Sequence, residues 1–398
     1  MMDKCEYLIV GNGIAGLAAA REIRKNDETG SITMVSSEPY LTYYRVKLTE
    51  YLSKDFQDEE LLVNKEKWYE DKNINVIVNK IVEEIDTEGN KIKIDDGSEI
   101  QYNKLLLAMG SRPFIPPIAG KYKNGVLALR TLKDLRYIQN YFSNCQTITI
   151  IGGGLLGLEA AYSAKKLNKK VNIIEFSPYL LNRQLDEEIS RKLENKLREA
   201  GFNLYLSSRA EEILGEERAN GIKLNGDRIV STDAVLVSSG VRSNLDLVRD
   251  TKIEHDRGVK VDKYLKTNID NIYAAGDVAE VEGVVLGLWS AGNEQGKIAG
   301  QNMTGGTKEY TSPKPYTNLQ IGDISLFSAG DVKNFDKVYE YKEGSEIHHK
   351  LFTTDGKITG AILFGDISEM NSLRKAVLEN MDVDIYLKDG IAYGIAFG

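Results

Sequence analysis

The sequence predicts an α/β chain, with two copies of a parallel strand–turn–helix unit and a small C-terminal α+β domain. Three observations carry this. The run Val10-Gly11-Asn12-Gly13-Ile14-Ala15-Gly16 closes an apolar strand and opens an alanine-rich helix. The run Ile151-Gly152-Gly153-Gly154-Leu155-Leu156-Gly157 does so a second time. Beyond residue 309, short apolar runs alternate with turn residues, as antiparallel strands do.

Composition sets the outer limits. A chain of 398 residues, 42% of them hydrophobic, can bury the cores of two or three domains. No apolar stretch approaches the roughly 20 residues of a membrane helix. The N-terminus runs almost directly into a strand, Glu6 to Val10, without a leader-like pattern. Cys5 and Cys145 lie far apart, and the histidines are His255, His348 and His349. That leaves no disulfide framework and no cysteine-based metal spacing, so a reduced cytoplasmic protein is expected. The net charge of −8 argues against a nucleic-acid partner. Lys165, Lys166, Lys169 and Lys170 cluster where a helix should end, and cations there favour the helix dipole.

In the first unit Leu8 to Val10 reads as a strand buried on both faces. Gly11 permits the tight turn, and Gly13 lets a pyrophosphate approach the backbone. Gly16, after Ala15, lets a helix from Leu17 to Arg24 pack on the strand. The next strand is Ile32 to Val35. Glu38 follows roughly 20 residues after Gly16, where a carboxylate accepts hydrogen bonds from a ribose. From Pro39 to Lys47 the chain is rich in tyrosine. With Arg45 and Lys47 this stretch is either a solvated loop or an aromatic wall bringing two cations to a cofactor.

The second unit repeats the pattern. Thr147 to Ile151 is the strand, and Gly152, Gly154 and Gly157 take the glycine roles, with Leu155 and Leu156 between them. Leu158 to Lys166 is the helix, and Val171 to Ile174 the next strand, ending at Glu175. A carboxylate there accepts from the 2′-hydroxyl of NAD and repels the 2′-phosphate of NADP, so NADH should be preferred. Glu159 has two readings: a helix-start carboxylate favoured by the dipole, or a residue beside the nicotinamide. Two such turns in one chain imply two dinucleotides, with electrons passing between them.

Two further segments extend the pattern. Leu105 to Pro113 is a strand ending in a small-residue turn with Ala108, Gly110 and Arg112. Ile272 to Asp277, preceded by Thr267, is a strand ending in Gly276-Asp277. These resemble the additional FAD signatures of the two-dinucleotide-binding flavoprotein superfamily, which includes glutathione reductase and the ferredoxin reductases. The resemblance implies two Rossmann-like domains, the NAD domain inserted in the FAD domain. It implies an FAD domain at 1–117 and 246–308, an NAD domain at 118–245, and a C-terminal domain at 309–398. It places Asp277 on the flavin ribitol, Gly276 at a close approach, and the backbone of Val82 at the adenine. It also places Ala108, Gly110 and Arg112 in the flavin turn and Gly240 where the chain leaves the NAD domain. Trp289 either lies near the ring or fills a domain seam. In the last domain, strands are expected at Ile324 to Phe327, Val338 to Tyr341, His349 to Thr353 and Ile358 to Phe364, with a helix at Ser372 to Glu379. His348 and His349 read as structural.

Thiol-dependent members of this superfamily carry one or two cysteines soon after the first unit. The corresponding stretch here, Leu41 to Lys47, holds Tyr43 and Tyr44 and no sulfur. A flavin without a thiol relay takes a hydride from NADH and can release electrons singly, which favours a one-electron protein acceptor. The runs Glu38-Pro39-Tyr40-Leu41 to Tyr44-Arg45, Arg183-Gln184-Leu185-Asp186 and Gly360-Ala361-Ile362-Leu363 to Gly365-Asp366 resemble the NADH:rubredoxin oxidoreductases and the FAD modules of nitrite reductase large subunits. That resemblance implies FAD, NADH, a small iron–sulfur partner such as rubredoxin, and a monomer or homodimer. Two other functions stay open: an NADH oxidase reducing oxygen directly, and a redox-sensing flavoprotein with little turnover. An acidic iron–sulfur partner needs a basic patch, for which Arg45, Lys47, Arg112 and Lys314 are the candidates.

Overall fold

The computed structural model describes residues 3–390. The chain is mixed α/β and divides into two compact units. Among the described residues, the first comprises 3–47, 56–113 and 240–312, and the second 48–55, 114–239 and 313–390. The short stretch 48–55 thus leaves the unit on either side of it in sequence.

The first unit is built on one sheet. Its strand order is Ile74–Ile77, Ile32–Val35, Asp3–Val10, Glu99–Leu107, Lys91–Ile94, Val82–Asp86, and Ile272–Ala274 also pairs with Glu99–Leu107. Asp3–Val10 is parallel to both of its neighbours. Period-two alternation sends its side chains to opposite cores. Tyr7 and Ile9 join one cluster with Leu106 and Met34, and Leu8 and Val10 join another with Leu105 and Leu107. Burial on both faces explains why the strand reads as a continuous apolar run.

Two helices cover the first of these faces, Ile14–Asn26 and Trp289–Met303, packed along each other. Their approach is set by small residues one turn apart. A Cβ on Gly296 would collide with the Ala15 carbonyl, and one on Gly300 would meet the Ala19 backbone. Larger side chains would hold the helices apart.

The second unit holds a five-stranded parallel sheet in the order Asn203–Tyr205, Lys170–Ile174, Thr147–Ile151, Ala234–Val237, Val126–Leu127. A three-stranded antiparallel sheet, Ala210–Leu214, Gly221–Leu224 and Ile229–Ser231, lies beside it in sequence. The last part of the chain is a five-stranded antiparallel sheet in the order Tyr316–Ile321, Ile324–Gly330, Lys357–Phe364, Ile347–Thr354, Lys337–Glu343. Helices Met370–Leu378 and Val383–Gly390 follow, and Leu373, Val377 and Tyr386 pack onto Phe327, Leu351 and Leu363. Strand Tyr316–Ile321 and helix Val383–Gly390 are additions to the elements expected from sequence.

One charged cluster ties the last sheet to the helix Glu187–Glu199. The Lys350 side chain is 5% exposed, and its Nζ donates to Asp186 at 2.6 Å and to Glu188 at 2.7 Å, with Glu340 at 3.0 Å. Lys342 pairs with Glu188 and Glu340 as well. His348 is fully buried between these carboxylates, 3.9 Å from Glu188 and 3.7 Å from Glu340. Burial pushes its pKa down, which keeps it neutral. Burial also works against the Glu188 charge, but the two lysine ammoniums hold that carboxyl down at about 2.

A depressed carboxyl pKa means that the unfolded chain binds protons the native cluster refuses. The stabilisation is complete above the ordinary carboxylate range and disappears as pH falls towards about 2. Lys350→Met leaves three carboxylates facing one another. Urea denaturation at neutral pH should show a loss of about 3 kcal/mol, the low end for a broken buried pair because the acidic partners keep some solvent. The variant's stability should also fall less on acidification than the parent's.

Candidate functional site

The first glycine turn is shaped by a neighbouring strand. The Ala108 amide donates to the Val10 carbonyl at 2.8 Å, and Gly11 donates to Val35 at 2.8 Å. This brings the Ala108 carbonyl against Gly11, where a Cβ would collide with it, and Gly11 has φ +113°. Only glycine fits both demands. A Cβ on Gly16 would strike the Gly11 carbonyl, so the helix starts tight against the turn. Gly13 is the helix N-cap, no side chain caps it, and the space where its Cβ would stand is open to 4 Å. Unsatisfied N–H groups facing open space are what a phosphate requires.

Around this turn the tyrosine-rich stretch is ordered. Asn12 donates to the Tyr40 carbonyl at 3.2 Å and accepts from the Thr42 hydroxyl, which in turn accepts from Tyr69 at 3.1 Å. Glu38 accepts from the Tyr43 hydroxyl at 2.7 Å and from Arg45 at 2.7 Å, one oxygen each. Burial disfavours the Arg45 charge, and Tyr43, Glu38 and Asp277 outweigh it, so its pKa is raised. Arg45 also lies over the Tyr43 ring, and Lys47 over Tyr44. Trp289, the first residue of its helix, stacks on Tyr44 with ring centroids 6.1 Å apart. The stretch is therefore an aromatic wall and not a solvated loop.

The Gly276-Asp277 turn reaches the same region. The Gly276 amide donates to the Gln295 side chain at 2.8 Å. Asp277 accepts from Ser111 on a carboxylate oxygen at 2.8 Å and from Ser243 on its carbonyl at 2.7 Å. Those serines sit on paired short strands, Ser111–Pro113 and Val241–Ser243. Asn244 fastens the neighbouring turn, its amide donating to Gly110 and its side chain to Met109. Arg112 is half-exposed and pairs with Asp246 at 2.5 Å. Val82 begins its strand at a bulge opposite Ile94, in the same sheet. Gly240 is the first residue of the unit's last stretch.

Each of the four basic candidates has a partner of its own: Arg45 pairs with Glu38 and lies over Tyr43, Lys47 lies over Tyr44, Arg112 pairs with Asp246, and Lys314 donates to the Val377 carbonyl and Asn380.

The second unit reproduces the first turn closely. Gly152 has φ +116°, and a Cβ there would collide with the Ser238 carbonyl; one on Gly157 would strike the Gly152 carbonyl. Gly154 is an uncapped N-cap beside open space. Leu155 and Leu156 begin the helix Leu155–Lys166, and Leu156 is half-exposed. Glu175 accepts from the Gly153 amide at 2.6 Å and from the Ser177 amide at 2.7 Å. Each oxygen keeps a second lone pair for a ribose hydroxyl.

Glu159 lies in the second turn of this helix and is not a simple cap. Its carboxylate accepts from the Thr49 hydroxyl at 2.7 Å, and Ser163 donates to the Thr49 carbonyl at 2.7 Å. Burial raises the Glu159 pKa and nearby Glu50 adds to it, while Thr49 opposes both. Thr49 belongs to the short helix Leu48–Tyr51, in the stretch that crosses to this unit. No local sequence signal marks this pair, because 110 residues separate the two positions.

Comparison with known proteins gives the family. Residues 5–296 match the pyridine nucleotide-disulphide oxidoreductase model. The chain belongs to this family. A second model, the rubredoxin NAD+ reductase C-terminal domain, matches residues 315–381 of the chain. The chain is 33% identical over 389 residues to an NADH-rubredoxin oxidoreductase of Clostridium acetobutylicum, covering 96% of this chain and 97% of that one. It is 37% identical over 391 residues to a nitrite reductase [NAD(P)H] of Bacillus subtilis, but that match spans 96% of this chain and about half (48%) of the relative. The crystal structure of NADH:rubredoxin oxidoreductase from Clostridium acetobutylicum superposes with a TM-score of 0.82 at 31% identity, covering 99% of this chain and 100% of that one. The family name speaks of disulphides, yet both cysteines of this chain are buried and neither lies in residues 41–47.

The raised Glu159 pKa has a definite sign. Protonation stabilises the native state, so the parent loses stability as pH rises from the ordinary carboxylate range to the raised value, and no more above it. Glu159→Gln should therefore match the parent in acid and exceed it increasingly towards neutral pH in urea denaturation. Thr49→Val removes the opposing hydrogen bond and should extend that window upward. A parent-minus-Gln difference that is flat with pH would count against a buried, ionising Glu159.

Proposed function

We propose that this oxidoreductase takes electrons from NADH through bound FAD and passes them singly to a small iron–sulfur protein of the rubredoxin type. One observation carries the reading. Two uncapped glycine turns of matching geometry stand in one chain, and the stretch where thiol-dependent relatives place cysteine holds tyrosines instead. The match of residues 315–381 to the rubredoxin reductase C-terminal domain supports the choice of acceptor.

The residues fit both cofactors. In the first unit the helix start at Gly13 would face the FAD pyrophosphate, Glu38 the adenosine ribose, the Val82 backbone the adenine and Asp277 the ribitol hydroxyls. Ser111 and Ser243 fix Asp277 before the cofactor arrives, so little ordering is left for binding to supply. In the second unit the helix start at Gly154 would face the NADH pyrophosphate, and Glu175 the ribose. Glu159 would lie beside the nicotinamide, with Thr49 as its positioning residue. When bound, FAD supplies the step between a two-electron donor and a one-electron acceptor. No protein group needs to move a proton for this, which agrees with a Glu159 anchored by a hydroxyl. Trp289 and Tyr44 would cover the ring region with apolar surface and limit water there.

Anaerobic stopped-flow mixing tests the acceptor. NADH should bleach the flavin within the turnover time, and oxidised rubredoxin should restore it much faster than oxygen does. Rapid bleaching followed by reoxidation that oxygen accelerates and rubredoxin does not would shift the function to an NADH oxidase. Dinucleotide choice is a separate matter. Glu175 should favour NADH over NADPH in kcat/KM by roughly tenfold or more through repulsion of the 2′-phosphate. Glu175→Ala should narrow that ratio, and a parent that prefers NADPH would overturn the assignment.

A further inference from the structure

Phe176 follows Glu175 directly and is 74% exposed. An aromatic ring left in water on a floppy loop would mean little. Here the backbone beneath it is pinned. The Glu175 amide donates to Tyr205 at 2.8 Å, Ser208 donates back to the Glu175 carbonyl at 2.9 Å, and Ser207 donates to the Ser177 carbonyl at 3.0 Å. On the other side both carboxylate oxygens of Glu175 are held by amides, one of them from Gly153 in the glycine turn. Residues 175–177 thus form a rigid shelf beside that turn, and the shelf presents one large apolar ring to solvent.

We propose that Phe176 is the adenine platform of the NADH site. The inference rests on the reading of Glu175 as the ribose anchor. The adenine is joined to the same ribose whose hydroxyls Glu175 would hold, and consecutive α-carbons are about 3.8 Å apart. The residue next to the anchor is therefore within reach of the base. A flat apolar ring offers a purine the stacking surface that every base carries on its face. Among the exposed large apolar side chains, Leu156 lies at the start of the fingerprint helix itself, and Phe176 is the aromatic one that adjoins the ribose position.

The test compares NADH with reduced nicotinamide mononucleotide, which lacks the adenosine half, using the FAD-loaded enzyme and ferricyanide as acceptor. For Phe176→Ala the ratio of kcat/KM for NADH to that for the mononucleotide should fall on the order of tenfold. The loss should appear in KM for NADH, and Phe176→Trp should restore the ratio. An unchanged ratio, or equal losses with both donors, would overturn the proposal. Glu175→Ala separates the two levels. If it leaves the NADH to mononucleotide ratio at the parent value, the ribose reading fails and the platform with it. If Glu175→Ala lowers the ratio and Phe176→Ala does not, the platform alone fails.

Discussion

Twice in this chain a carbonyl oxygen from an adjacent strand presses against a bare α-carbon: Ala108 against Gly11 and Ser238 against Gly152. The contact is possible only because each strand runs parallel to the one that ends in the turn, in a register that brings their C-terminal ends level. Once the turn is pressed flat, the helix must begin at once, and the third glycine lets it do so against the turn's own carbonyl. The result is a helix start with unclaimed donors at the carboxyl edge of a sheet, where α/β folds bind their ligands. A methyl group at Gly11 or Gly152 would tilt strand, turn and helix together.

The remaining polar architecture serves to hold carboxylates still. Asp277 is gripped by two serines from a two-stranded ribbon, Glu38 by a tyrosine and an arginine, Glu175 by two backbone amides and Glu159 by one threonine. Each carboxylate meets a different kind of donor. Glu159, with a lone hydroxyl and burial against it, is pushed towards its neutral form. The Lys350 cluster solves the opposite problem, gathering three carboxylates around an ammonium that the sheet has nearly enclosed.

How much of this could be read from the residues depends on how local its cause is. The glycine turns were legible because seven adjacent residues contain every constraint. The C-terminal sheet was legible where strands are buried, as in Ile358–Phe364. Tyr316–Ile321 was not, since only Leu319 and Ile321 among its residues are buried apolar side chains, too few to stand out beside the polar Thr317, Asn318 and Gln320. Partnerships across long sequence distances were invisible: Thr49 with Glu159, Ser243 with Asp277, and Asp186 with Lys350 each join separate regions of the chain. Arg112 and Lys314 stood only as candidates for a basic patch in the sequence because nothing local announces Asp246 or Asn380 as their partners.

The excursion of residues 48–55 carries a consequence for dissecting the chain. A fragment cut at the expected limits of the NAD domain would contain Glu159, Ser163 and Gln139 but not the segment that meets them. Thr49 would no longer reach Glu159 or Ser163, and the Tyr51 and Lys54 carbonyls would no longer receive the Gln139 amide. The helix face that carries Ser163, now buried against this stretch, would open to water. A faithful minimal version of the second unit therefore has to carry eight residues from near the N-terminus. During synthesis, that unit cannot close until a segment made long before it has been kept waiting.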